Sequence, residues 1–197
     1  MPAKPQAPHD QIYQAVAMIL NAQKPIFVFG GGAVDGADVV SDLMRMTGAA
    51  SFSTYAGRGI VPVGTALDFG ATLARADTAS IFAQSDLVIA VGTELAEVDI
   101  WRENLGHSCP MIRVDLDPSI LAQGRAADLL LLGDAESFLR AMAIAIPARV
   151  DDRDPCWDAG YVAQCKARWR AETDAERPGI VPICDALRAA LPSEALI

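Results

Sequence analysis

The sequence predicts an α/β fold: a doubly wound, mainly parallel six-stranded sheet of Rossmann-like type with a helical C-terminal extension. Three observations carry this. Ile26-Phe27-Val28-Phe29 and Leu87-Val88-Ile89-Ala90-Val91 run without polar alternation, the mark of strands buried on both faces of a parallel sheet. Gly30-Gly31-Gly32 follows the first run and lets the backbone turn sharply and be approached closely. Val39, Val40, Leu43, Met44 and Thr47 then repeat at helical spacing, which completes the strand, glycine turn and helix that open a doubly wound domain.

Taken in order, residues 1–9 carry three prolines and no periodicity, and read as an arm. The Rossmann-like domain spans 10–147. Ile12, Ala15, Val16, Ile19 and Leu20 mark its first helix, with Asp10 as the expected N-cap. Pro25 suits the entry to the first strand. Gly48 ends the next helix, and Ala49-Ala50-Ser51-Phe52-Ser53 makes a second strand. Residues 54–70 are glycine-rich and loop-like, and a loop of that length inside a domain is more often functional than idle. A weak helix over 74–84 precedes the third strand, which ends at Gly92-Thr93. Met111-Ile112-Arg113-Val114 forms a fourth, with Asp115 and Asp117 at its carboxyl end, and Leu129 to Leu132 a fifth. Asp134 is placed to cap the helix holding Phe138, Leu139, Met142 and Ile146.

Residues 148–179 form a charged linker and a helix. Trp157, Tyr161, Cys165 and Trp169 fall at four-residue steps on one helical face, which packs on the first domain or meets a partner. Any part of that face left bare would favour self-association. A last helix carries Ile183, Leu187 and Leu191, and Ala195-Leu196-Ile197 reads as a strand just beginning, so the chain is expected to be a piece of a longer protein.

Bulk properties narrow the function. With 52% hydrophobic and 21% charged residues, the chain can fill a core. A formal charge of −9 argues against nucleic acid as a partner. No apolar run reaches the ~20 residues needed to span a bilayer, so no membrane partner is expected. The N-terminus lacks the apolar core of a secretion signal, and the four cysteines form no C-x-x-C pair; both suit a cytoplasmic protein with reduced thiols.

Familiar chemistries are mostly excluded. A dinucleotide fingerprint finds Gly30 and Gly32, but Asp35 stands at its third glycine and no carboxylate ends the second strand. There is no phosphate-binding G-x-x-x-x-G-K-[ST] and no G-x-S-x-G elbow. His9 and His107 are too isolated for a zinc site. Asp115 and Asp117 could pair on a metal, but acids at a strand end more often cap a helix or meet a ribose. No catalytic centre assembles, and no metal site is assigned.

The succession of motifs is more specific than any one of them. Lys24-Pro25 with its apolar strand and Gly30-Gly31-Gly32-Ala33 is followed by Gly57-Arg58-Gly59-Ile60-Val61-Pro62, then Leu67-Asp68-Phe69-Gly70. Ser85-Asp86 through Gly92-Thr93, Ile112-Arg113-Val114-Asp115-Leu116-Asp117 and Gly133-Asp134-Ala135 complete it. Over residues 10–146 this resembles the central domain of thiamine diphosphate-dependent enzymes of the acetolactate synthase and 2-oxo acid decarboxylase type. The resemblance implies a parent lyase or transferase that carboligates or decarboxylates a 2-oxo acid, using thiamine diphosphate and magnesium. Residues 180–197 would then open the diphosphate-binding C-terminal domain. The glutamate that activates the cofactor and the G-D-G motif that holds magnesium are not in these residues, so the chain is expected to be inactive alone. Its implied partners are the N-terminal and C-terminal domains of the parent, in a homo-oligomer. The alternative is a stand-alone, non-catalytic nucleotide-binding or scaffold domain.

In some relatives the central domain binds FAD or ADP. The residues matching that role are Gly31 and Gly32 toward a phosphate, Gly92 and Thr93 along the groove, Asp115 or Asp117 toward a ribose, and Asp134 at the far side. The flavin-binding relatives usually carry an arginine just after the glycine matching Gly92; here Glu94, Glu97 and Asp99 follow instead. Weak binding or none is expected, unless Arg58 or Arg102 compensates.

Overall fold

The computed structural model describes residues 4–123, 127–146 and 153–192. Five strands form one parallel sheet: β1 (Pro25–Phe29), β2 (Ala50–Ser53), β3 (Leu87–Val91), β4 (Met111–Asp115) and β5 (Leu129–Leu132), in the order β2-β1-β3-β4-β5. Phe29 stands opposite both Ser53 and Val91, so the two neighbours of β1 end level with it. Every residue of β1 and β3 is buried, as their unbroken apolar runs require.

Side chains of a strand alternate between faces, and the core divides accordingly. Phe27, Phe29, Ile89, Val91, Ile112 and Val114 face helices α1 (His9–Asn21), α2 (Ala37–Thr47) and α6 (Ala135–Ala145). Ile26, Val28, Phe52, Val88 and Ala90 face the other layer, which holds α3 (Thr78–Phe82), the short α4 (Glu97–Ile100) and α7 (Ala159–Glu176). A short α5 (Pro118–Leu121) follows β4, and α8 (Ile180–Ala190) closes the described chain. Each fully buried large apolar side chain contributes about 1.5–3 kcal/mol, so this two-faced core is the main source of stability.

Several expectations need correction. The sheet has five strands among the described residues, not six. Leu67 to Gly70 instead borders the outer edge of β2 through one bridge, Ser51 to Asp68, with Ser51 N–H donating to Leu67 O at 3.1 Å and Phe69 N–H to Ser51 O at 2.9 Å. Too few residues run beside β2 there to count as a strand. Helix α1 begins two residues earlier than an Asp10 cap implies, with Pro8 at its N-cap, and Asp10 lies in the first turn, where its charge suits the helix dipole. The helix expected over 74–84 is shorter, and Gly48 ends α2 at φ 62° as a left-handed cap.

The aromatic stripe is covered within the chain. Asp158 caps α7 by accepting from Gly160 N–H, so Trp157 precedes the helix rather than lying on it. Trp157 and Trp169 are nonetheless buried, and both rings meet Phe69, at 6.3 and 6.0 Å between centroids. Phe69 in turn stacks on Phe52 of β2 at 4.6 Å. Trp157 Nε1 donates to Pro25 O at 3.0 Å, and Trp169 Nε1 to Asp77 at 2.8 Å. Helix α8 differs: none of its residues is buried, and Ile183 and Leu187 stand open to solvent. Residues 195–197, expected to begin a strand, lie outside the described residues.

Candidate functional site

In a sheet of order 2-1-3-4-5 the chain reverses direction between β1 and β3, and ligands favour the crevice beyond the carboxyl ends there. Here β1 runs into a 3-10 turn (Gly31–Gly36) before α2, and β3 runs into Gly92. The two turns are laced together. Gly30 N–H donates to Val91 O at 2.9 Å, Gly32 N–H to Gly92 O at 3.0 Å, and Gly92 N–H to Val114 O at 2.8 Å. Gly92 sits at φ 61°, and a Cβ added to it would lie 2.8 Å from the Gly32 backbone. Close approach of the two turns therefore explains these glycines.

Beside this lacing is a cleft of about 240 Å³ lined by Gly32, Gly92, Glu94, Asp115, Leu116, Asp117, Ile120 and Ala135. It brings together four of the predicted site residues: Gly32, Gly92, Asp115 and Asp117. The other three face elsewhere. Gly31 packs against Ala56. Thr93 is buried, its hydroxyl accepting from Leu95 N–H at 3.0 Å. Asp134 caps α6 by accepting from Ser137 N–H at 2.9 Å, and its own N–H donates to Pro5 O at 2.8 Å. Lys4 of the N-terminal arm joins this cluster, 3.6 Å from Asp134 and 2.6 Å from Glu136, whose carboxyl it holds below the ordinary range.

The cleft offers acceptors more than donors. Asp117 caps α5, accepting from Ser119 N–H at 2.7 Å, and that bond holds its carboxyl below the ordinary range. Asp115 accepts from Asp117 N–H at 3.0 Å. Glu94 adds a third carboxylate, while the Gly32 N–H already serves Gly92. Neither candidate cation lines the cleft. Arg58 lies over the Tyr55 ring at 5.8 Å. Arg102 donates to five backbone carbonyls, those of Leu73, Arg75, Ile100, Asn104 and Leu105. Such a lining does not suit a diphosphate, so no FAD or ADP contact is assigned to it. Among the described residues no group of three or more His, Cys, Asp and Glu could hold a metal ion.

The sequence reading passed over Arg113 as a site residue. It stands inside β4 between Ile112 and Val114, nearly fully buried, and burial pulls its pKa down. An arginine interrupting an apolar strand was the available signal, since a buried cation must find acceptors. Larger clefts of about 820 and 690 Å³ lie against α7, but Arg75 and Arg168 there are already paired, with Glu176 and Asp77.

Among known families, the central domain of thiamine pyrophosphate enzymes matches residues 12–142. The probable 2-ketoarginine decarboxylase AruI of Pseudomonas aeruginosa is 34% identical over 183 residues, 93% of this chain and 32% of that protein. The acetolactate synthase of Mycobacterium leprae is 30% identical over 138 residues, 67% of this chain and 22% of that one. A Mycobacterium smegmatis structure described as a thiamin diphosphate-dependent enzyme superposes with a TM-score of 0.64 at 21% identity. That superposition covers 79% of this chain and 31% of the other, and bears on the fold alone. The chain thus spans about a third or less of the length of these relatives. No helix among the described residues is long and apolar enough to cross a membrane.

Proposed function

The chain belongs to the central-domain family of thiamine pyrophosphate enzymes, and from that premise we propose that it serves as the middle domain of an enzyme acting on a 2-oxo acid. The reaction is decarboxylation or carboligation, and this domain contributes structure rather than catalysis. Thiamine diphosphate supplies the nucleophilic carbon and electron sink for such chemistry. These residues hold neither it nor magnesium; both belong to N-terminal and C-terminal domains of the parent, which assembles as a cytoplasmic homo-oligomer.

The observation that carries this reading is the 34% identity to AruI, which runs past the family-matched residues 12–142 and through most of this chain. It also favours decarboxylation of a 2-oxo acid with a cationic side chain. The carboxylate lining of the groove supports a structural role, because it leaves no cradle for a diphosphate.

Purified chain mixed with 2-ketoarginine or pyruvate, thiamine diphosphate and magnesium should release no carbon dioxide above the buffer control. The same residues expressed within their complete reading frame should do so. Turnover by the chain alone would overturn the structural role. An inactive complete protein, tested across a panel of 2-oxo acids, would favour the scaffold reading instead.

A further inference from the structure

Beside the groove, on the face of the sheet that carries α4, a second cavity of about 240 Å³ has Arg113, Ile100 and Met111 among its buried lining and Glu94, Glu97 and Glu103 among its exposed lining. Arg113 is only 4% exposed. Its guanidinium donates to Gln123 O at 2.7 Å and, at 3.4 Å, to the carbonyls of Thr93 and Glu94. All three acceptors are neutral, and among the described residues no carboxylate accepts from it. Asp115 acts on it only through its charge. A buried cation held by carbonyls alone remains short of counter-charge.

The segment after β3 lines the cavity, and within it Leu95, not a glycine, takes φ of 53°. Backbone held in that region concentrates at ligand sites. The space equals roughly eight waters at ~30 Å³ each, the scale of one amino acid.

The two kinds of charge select the ligand. A plain carboxylate would satisfy Arg113 but meet three glutamates, and a plain cation would satisfy the glutamates but meet Arg113. A molecule with both ends answers both. We propose that this cavity binds a small organic acid with a cation at its other end, a basic amino acid or its 2-oxo analogue. The carboxylate pairs with Arg113 and the cation lies among Glu94, Glu97 and Glu103. The ligand class overlaps the cationic 2-oxo acid proposed as the parent's substrate, but this binding needs no thiamine chemistry and is read on the chain alone.

Calorimetric titration of the 197-residue chain, without thiamine diphosphate, tests it with three probes. L-arginine has both ends, agmatine lacks the carboxylate and pentanoate lacks the cation. L-arginine should saturate with a Kd between about 10 µM and 1 mM, and the other two should bind at least about tenfold more weakly. Glu97→Gln and Glu103→Gln lie on the surface and leave the core intact. Each should weaken L-arginine about three- to tenfold and leave pentanoate unchanged. Arg113→Lys, checked for folding by circular dichroism, should lose the preference for L-arginine over agmatine. Absence of saturation by L-arginine up to about 10 mM would overturn the proposal. So would agmatine binding as tightly as L-arginine, or glutamate variants that bind L-arginine as the parent chain does.

Discussion

Gly32 donates its N–H to the carbonyl of Gly92 across 3.0 Å, and a Cβ on either residue would press into the other's backbone. The turns that leave β1 and β3 are thus one unit, and the glycine run of the first crossover serves the second.

Gly92→Ala should therefore cost more than its dihedral alone. The left-handed φ of 61° accounts for roughly 1–2 kcal/mol with any L side chain. Contact at 2.8 Å with backbone that cannot step aside adds to it, for a total loss of about 2–4 kcal/mol in urea unfolding. Gly59→Ala is the control, with φ 89° and open space around the added Cβ, and should lose only about 1 kcal/mol. Equal losses would show that crowding between the turns contributes nothing.

The chain should purify colourless and bind ADP weakly. Glu94, Asp115 and Asp117 line the crevice where a pyrophosphate would lie, and each close pair of like charges costs about 1–4 kcal/mol at ~4 Å. A flavin absorbance band near one per chain would contradict this.

Trp169→Ala should destabilise by about 3–5 kcal/mol, because the ring is buried against Phe69 and its Nε1 donates to Asp77. Trp169→Phe keeps most of the packing and loses the bond, for about 1 kcal/mol. A single unfolding transition is expected in both, since α7 shares its core with the sheet. A separate early transition would mean that α7 is an independent unit.

Asp68 should make stability fall as pH rises. Burial pushes its carboxyl above the ordinary 3.8, against the opposing bond from Ser51 Oγ at 2.8 Å. A raised folded pKa gives stability that is fully present below the unfolded value and lost as pH rises through the folded one. Asp68→Asn should therefore be neutral or stabilising at pH 7, with any gain vanishing below about pH 4. A variant that is less stable than the parent chain at pH 7, and level with it in acid, would reverse the sign.

Much of the fold was legible because buried parallel strands leave an unbroken apolar trace. Ile26 to Phe29 and Leu87 to Val91 fall on β1 and β3 within a residue, and the crevice between them follows from the doubly wound rule. Asp134 as a helix cap was also legible, since capping depends on local spacing. The partners of Gly32 and Arg113 were not. A glycine reports that space is short without naming what fills it, and Arg113 uses backbone carbonyls that any residue could supply. Trp157 was misplaced onto the helix because the four-residue spacing ignores the capping carboxylate at Asp158.

Trp157 reaches back 132 positions to the carbonyl of Pro25, where β1 begins. The stretch by which the family is recognised stops at residue 142, short of this tether. A chain severed after residue 146 would keep all five described strands yet leave Phe69, which stacks on Phe52, without the tryptophan rings that shield it. Closing so wide a loop is slow, and until it closes that flank of the sheet is sticky. The stretch that marks the family and the stretch that keeps its own apolar surface from water are different lengths, and trimming to the first should leave a chain that aggregates.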